Sequence, residues 1–186
     1  GGTASGSTDV DIPKILKATL GLPIQLVEGY KGTADIRIAA DSGEVSGYCG
    51  TWAGMKSTWS QALESGNAHI VVQINSKKHP DLINVPNAVD LAKTDEAREL
   101  IKMGIHYQAD ISRNYSLPPA TPKERVTILQ KAFLQTMKDK DFLADVQKAK
   151  LSVEAISGDD VARIVSDYSA MKPELVNKLK EIMLPN

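Results

Sequence analysis

The residues best placed to do chemistry form a glycine- and hydroxyl-rich run at the start of the chain, Gly1-Gly2-Thr3-Ala4-Ser5-Gly6-Ser7-Thr8-Asp9. A second glycine turn follows at Gly29-Tyr30-Lys31-Gly32-Thr33-Ala34. Both runs precede a helical pattern, and the first backbone N–H groups of a helix are unpaired and partially positive, so such loops attract anions. In the first loop Thr3, Ser5, Ser7 and Thr8 contribute hydroxyls and Gly6 adds no side chain. N–H and O–H donors can therefore converge on a carboxylate there, with Asp9 at the helix start. In the second, Gly32 leads into a helix over 34–40 that Thr33 can cap, with Ala34 as its first residue. Cys49 ends an extended run before Gly50, where either a cleft residue or a small buried hydrophobe would sit. Lys31 reads as a solvated lysine, and Asp35 as a first-turn helix charge that could also accept an ammonium or hydroxyl. An ordinary surface Gly-Ser loop has the same composition as the first run, so its composition alone leaves both readings open.

Other chemistries lack their signatures. Neither GxxxxGK[ST] nor GxGxxG occurs, which disfavours nucleotide binding. The three histidines, His69, His79 and His106, stand in no HExxH pattern, and neither CxxC nor GxSxG is present, so no catalytic, metal or cofactor site is expected. Lys plus Arg total 22 against 23 for Asp plus Glu, a net charge of −1, which leaves no basic field for nucleic acid. A single cysteine permits no internal disulfide. Apolar runs such as Ile70-Val71-Val72 are too short to span a bilayer, and no targeting signal is legible.

The elements that must position these loops alternate in type. Ile12, Ile15, Leu16 and Leu20 recur at helical spacing, with Asp9 and Asp11 in the first turn and Gly21 as the stop; Pro13 predicts a kink or irregular turn near 10–12. Strands are expected over 24–27, 45–49 and 69–74, separated by helices over 34–40 and 53–64. That alternation predicts an α/β fold with a mainly parallel sheet, binding at the carboxyl ends of its strands. Further helices are expected over 88–91 and 95–103, then an extended segment over 105–115. Amphipathic helices follow over 122–138, 140–148, 158–171 and 173–183, with a short strand over 153–156.

The ordered motifs carry a resemblance. Tyr30-Lys31-Gly32-Thr33-Ala34, Gly43-Glu44-Val45, Gly47-x-Cys49-Gly50, His79-Pro80-Asp81-Leu82, Val85-Pro86, Leu117-Pro118-Pro119, Arg125-Val126, Phe142-Leu143 and Ser157-Gly158 occur in this order. Together with the opening loop they resemble the solute receptors of tripartite tricarboxylate transporters, the Bug-type extracytoplasmic binding proteins. The resemblance implies a type II periplasmic-binding-protein-like lobe over 1–104, whose cleft takes a small organic carboxylate, with Thr33 favoured over Asp35 as a contact. It implies that 105–186 holds a crossover strand and C-terminal helices belonging to the family's first lobe, the N-terminal part of which this sequence lacks. A proteolytic, engineered or natural truncation would each give that arrangement. Periplasmic location and membrane transporter subunits as partners follow from the resemblance alone.

The expected function is thus that of a partial extracytoplasmic receptor binding a small carboxylate through Thr3, Ser5, Gly6, Ser7, Thr8, Asp9, Gly32, Thr33, Ala34 and Cys49, rather than an enzyme. The alternative is a non-binding structural product that mainly self-associates. The apolar faces Val126-Leu129-Phe133-Met137 and Val161-Ile164-Val165-Tyr168 would cover the absent lobe, so a homodimer through the C-terminal helices is expected.

Overall fold

The structure, a computed structural model, describes residues 1–149, 151 and 153–184. Helix α1, Thr8–Leu20, is the axis of the core. Asp9 and Asp11 complement the positive end of its dipole, and Gly21, at φ 66°, ends it in the left-handed conformation that glycine adopts without strain. Pro13 sits inside this helix without ending it. The expected break is absent because Val10, Ile15 and Leu16 on either side are buried and anchor both halves.

Around α1 pack α5 (Ala88–Leu91), α6 (Asp95–Ile101) and α11 (Pro173–Met183). Asn87 caps α5 and Thr94 caps α6, each accepting a backbone N–H with its side chain. A π-helical turn, Lys102–His106, continues α6 into α7, Tyr107–Ile111. Gly104 lies in that turn, where a Cβ would come 2.8 Å from Ile15 Cδ1 and 2.9 Å from Leu179 Cδ2. Ile15, Leu16, Ala88, Leu100, Ile101, Ile105 and Leu179 close one apolar cluster, so the core runs across position 104.

The chain between α1 and α5 holds α2 (Thr33–Asp41), α3 (Trp52–Thr58) and α4 (Ser60–Glu64). Ile36, Ala39 and Val45 make a second, smaller cluster with Tyr30 and Tyr48. Beyond α7 come α8 (Lys123–Thr136), α9 (Lys140–Lys148) and α10 (Gly158–Ser169). Helix α10 packs on α7, with Tyr107 donating to Asp167 at 3.4 Å. Helices α8 and α9 bury no side chain, and Ile128, Leu129, Phe133 and Leu143 are exposed on them.

The predicted α/β architecture is not what the chain adopts. Helix accounts for 57% and strand for 1% of the described residues, with no sheet among them. The segments expected as strands over 24–27, 45–49 and 69–74 form no strand; among the described residues the bridge pairing is an isolated parallel pair, Gln73 with Asn87. The expected strand over 153–156 is irregular in its described residues, and 105–111 is helical rather than extended. A sheet-based receptor lobe is overturned with them. A helix satisfies its backbone groups within four residues, whereas a strand needs a partner strand elsewhere. These segments find too few ladder partners to form a sheet.

Candidate functional site

The candidate residues of the first loop do converge, on a carboxylate supplied by the chain itself. Ser7 stands at the N-cap of α1 but makes no side-chain bond to a helix N–H. Its hydroxyl meets the Ala4 carbonyl and Asp9 Oδ1 and accepts from the Thr3 hydroxyl at 2.9 Å. Thr3 donates its backbone N–H to Asp9 Oδ2 at 3.0 Å, and its single hydroxyl proton is shared between Ser7 Oγ and Asp9 Oδ1, each at 2.9 Å. Asp9 is 7% exposed. A buried carboxylate needs such charge-assisted bonds to repay its lost hydration.

Backbone contacts fix this loop against its neighbours. Gly2 donates to the Val27 carbonyl at 2.9 Å, Gly29 donates to the Thr3 carbonyl at 2.9 Å, and the Gly1 amino group donates to Gly47 at 2.8 Å. Gly2 is obligatory, because a Cβ there would lie 2.6 Å from Val10 Cγ2 and 3.1 Å from the Asp9 carbonyl. The segments 24–27 and 45–49, expected to be strands, thus lie beside residues 1–3 without forming a ladder. Cys49 is drawn in as well: burial, reinforced by the negative charge of Asp9, pushes its thiol up to about 11. Tyr48 is raised for the same two reasons.

The remaining candidates stand apart. Ser5, Gly6 and Thr8 are exposed, and Gly6, at φ 88°, forms an open loop tip. Gly32, not Thr33, holds the cap position of α2, and Thr33 is the first helical residue. Asp35 and Ile36 donate to the Gly32 carbonyl, whereas the N–H groups of Thr33 and Ala34 find no partner among the described residues. No hydrogen bond among the described residues joins Gly32, Thr33 or Ala34 to the first loop.

Two polar clusters escaped the sequence reading. Asp81 accepts from Trp52 Nε1 and from Lys56 Nζ, both at 2.9 Å, and Lys56 lies 5.5 Å from the Trp52 ring centre. The Trp52 and Lys56 hydrogen bonds hold the Asp81 carboxyl below the usual carboxylate range. His79 Nδ1 accepts the Asp81 N–H at 3.1 Å, so the His-Pro-Asp run caps the short 3-10 turn Pro80–Leu82 and fastens it to α3. The second cluster centres on buried Gln73, which bridges to the 79–86 loop. The Pro residue in His-Pro-Asp was the available signal for the first; nothing in the sequence marks Gln73.

A cleft of about 420 Å³ between α1, α6 and α11 is lined by Thr19, Thr94, Glu96, Leu100, Lys178 and Ile182 and shares no residue with the loop. Among the described residues no three His, Cys, Asp or Glu side chains converge as a metal ion would require, and no helix is long and apolar enough to cross a membrane. Comparison with family models, with curated proteins and with solved structures returns no match.

Proposed function

We propose that this chain binds a small organic carboxylate through the loop around Thr3 and Ser7. The order of its sequence motifs supports a role in extracytoplasmic capture for a tripartite tricarboxylate-type transporter. One observation carries the reading. The loop aims a backbone N–H and two hydroxyls at a single carboxylate, that of Asp9. Donors held in this way recognise a carboxylate by geometry, whichever molecule supplies it.

The test is a thermal-shift series with di- and tricarboxylates, acidic amino acids and nicotinate at millimolar concentration. Saturation at about 100 times Kd adds roughly 2.7 kcal/mol, which raises Tm by several degrees in a chain of this size. A selective shift that Thr3→Val removes supports the reading. Silence across the panel overturns it.

A second reading, self-association, is favoured by surface area. The chain exposes 12830 Å². A compact monomer of 20.1 kDa exposes about 8,700 Å². Obligate dimers bury roughly 1,000–2,500 Å² on each partner, so a surplus of roughly 4,000 Å² per chain is ample to hold such an interface. A second copy packing on the apolar faces of α8 and α9 would cover part of it. Light scattering at tens of micromolar decides: a dimeric mass supports this reading and a monomeric mass ends it.

A further inference from the structure

We propose that the outer stripe of α8 is the surface on which a second copy of this chain docks, with the two α8 helices antiparallel. This inference rests on the self-association reading above and names its contact. Along α8, Arg125, Ile128, Leu129, Ala132, Phe133 and Thr136 are all exposed. Residues three and four apart share one face of a helix, so these six form a single stripe. Ile128, Leu129 and Phe133 are 58%, 50% and 36% exposed, and the Tyr115 ring lies 5.6 Å from that of Phe133, which widens the patch. The other face is the one turned inward. Val126, Gln130, Leu134 and Met137 are half-buried, and Gln130 packs over Gly158 at the start of α10, where a Cβ would collide with its amide.

Area, shape and charge select a second copy as the occupant. The surplus of roughly 4,000 Å² is ample for a dimer interface, and α8 carries an apolar stripe that nothing in the chain covers. A two-fold contact requires a surface that complements itself. Turned end for end about the midpoint between Gln130 and Lys131, the stripe falls on itself: Ile128 meets Phe133, Leu129 meets Ala132 and Arg125 meets Thr136. The small Ala132 side chain leaves room for Leu129, so the helices can approach closely. Arg125 decides the direction. A parallel, in-register pair would set Arg125 against Arg125, whereas the antiparallel pair sets it beside the carboxyl end of the other α8, where unpaired carbonyls and the exposed Asp139 carboxylate attract a cation.

Sedimentation velocity on the whole chain from about 1 to about 100 µM tests this, with wild type expected to dimerise within that range. Leu129→Glu and Phe133→Glu, at exposed positions, are expected to keep the wild-type circular dichroism spectrum and to weaken the dimer at least about tenfold. Thr127→Glu, across the helix from the stripe, should leave dimerisation unchanged. Thr136→Lys sets a lysine against Arg125 of the other copy and should weaken the dimer about threefold or more; adding Arg125→Glu should restore it. A wild type still monomeric at about 100 µM overturns the self-association reading and this inference together. If wild type dimerises and Leu129→Glu and Phe133→Glu dimerise equally well, the chain associates elsewhere, and the inference fails while that reading stands. Failure of Arg125→Glu to rescue Thr136→Lys overturns the antiparallel arrangement.

Discussion

The side-chain oxygen of Gln73 accepts the backbone N–H of His79 at 2.7 Å, and the same amide donates to the carbonyls of Leu82 and Val85 at 2.7 and 2.8 Å. One buried side chain thus holds the loop that carries Asp81. Gln73→Leu keeps the volume but strands one N–H and two carbonyls. The expected loss is about 2–3 kcal/mol. Thermal unfolding should show Tm lower by roughly 5–10 °C.

His106 is buried in the π-helical turn and its Nε2 finds no partner among the described residues. Burial, with Lys102 adding to it, lowers its basicity from the ordinary value of 6.5, against an opposing pull from Asp110. The folded chain therefore keeps His106 neutral while the unfolded chain binds the proton. Stability from this residue is complete above pH 6.5 and is lost as pH falls through that value toward the depressed one. Wild type should lose more Tm than His106→Leu between about pH 7.5 and about pH 5.5. Parallel Tm profiles for the two proteins would refute the assignment.

At Gly104, a valine side chain would enter the space filled by Ile15 and Leu179, both buried. Gly104→Val should cost about 1–3 kcal/mol through overpacking. In denaturant titration the midpoint should fall with little change in slope. An unchanged midpoint would mean that α1 and α11 separate easily at that crossing.

Cys49 should be slow to alkylate. With its thiol pushed up to about 11, its thiolate fraction near neutral pH is far below that of an exposed cysteine. The greater intrinsic nucleophilicity of a high-pKa thiolate offsets part of this, so iodoacetamide labelling is expected to be about tenfold slower than in the urea-unfolded chain. Asp9→Ala, which removes the nearby negative charge, should speed labelling modestly.

Much of the helical half of the molecule was legible from local pattern. Gly21 stops α1 where expected, α5 covers the predicted 88–91, and α9, α10 and α11 fall within two residues of their predicted ranges. Caps, first-turn prolines and apolar periodicity act between residues a few positions apart, so a linear reading sees them. Helix 53–64 was read as one element and is broken at Trp59, whose φ of −120° lies outside the helical range. The helix expected to end at 103 instead passes through Gly104, because contact with Ile15 and Leu179 favours a residue without a side chain inside the turn.

The sequence by itself determined where most helices begin, which faces of α1, α8 and α10 carry the apolar residues, and that Thr3, Ser7 and Asp9 belong to one polar loop. Only the tertiary structure decided the rest. It left the 24–27, 45–49 and 69–74 segments without a sheet, set Gln73 as the anchor of a distant loop, and turned Asp9 from a helix-start charge into the occupant of the loop's donors. The physical reason is range. Helical signals are satisfied within a few residues, while strand pairing and the destination of a buried polar side chain depend on groups far away in the chain.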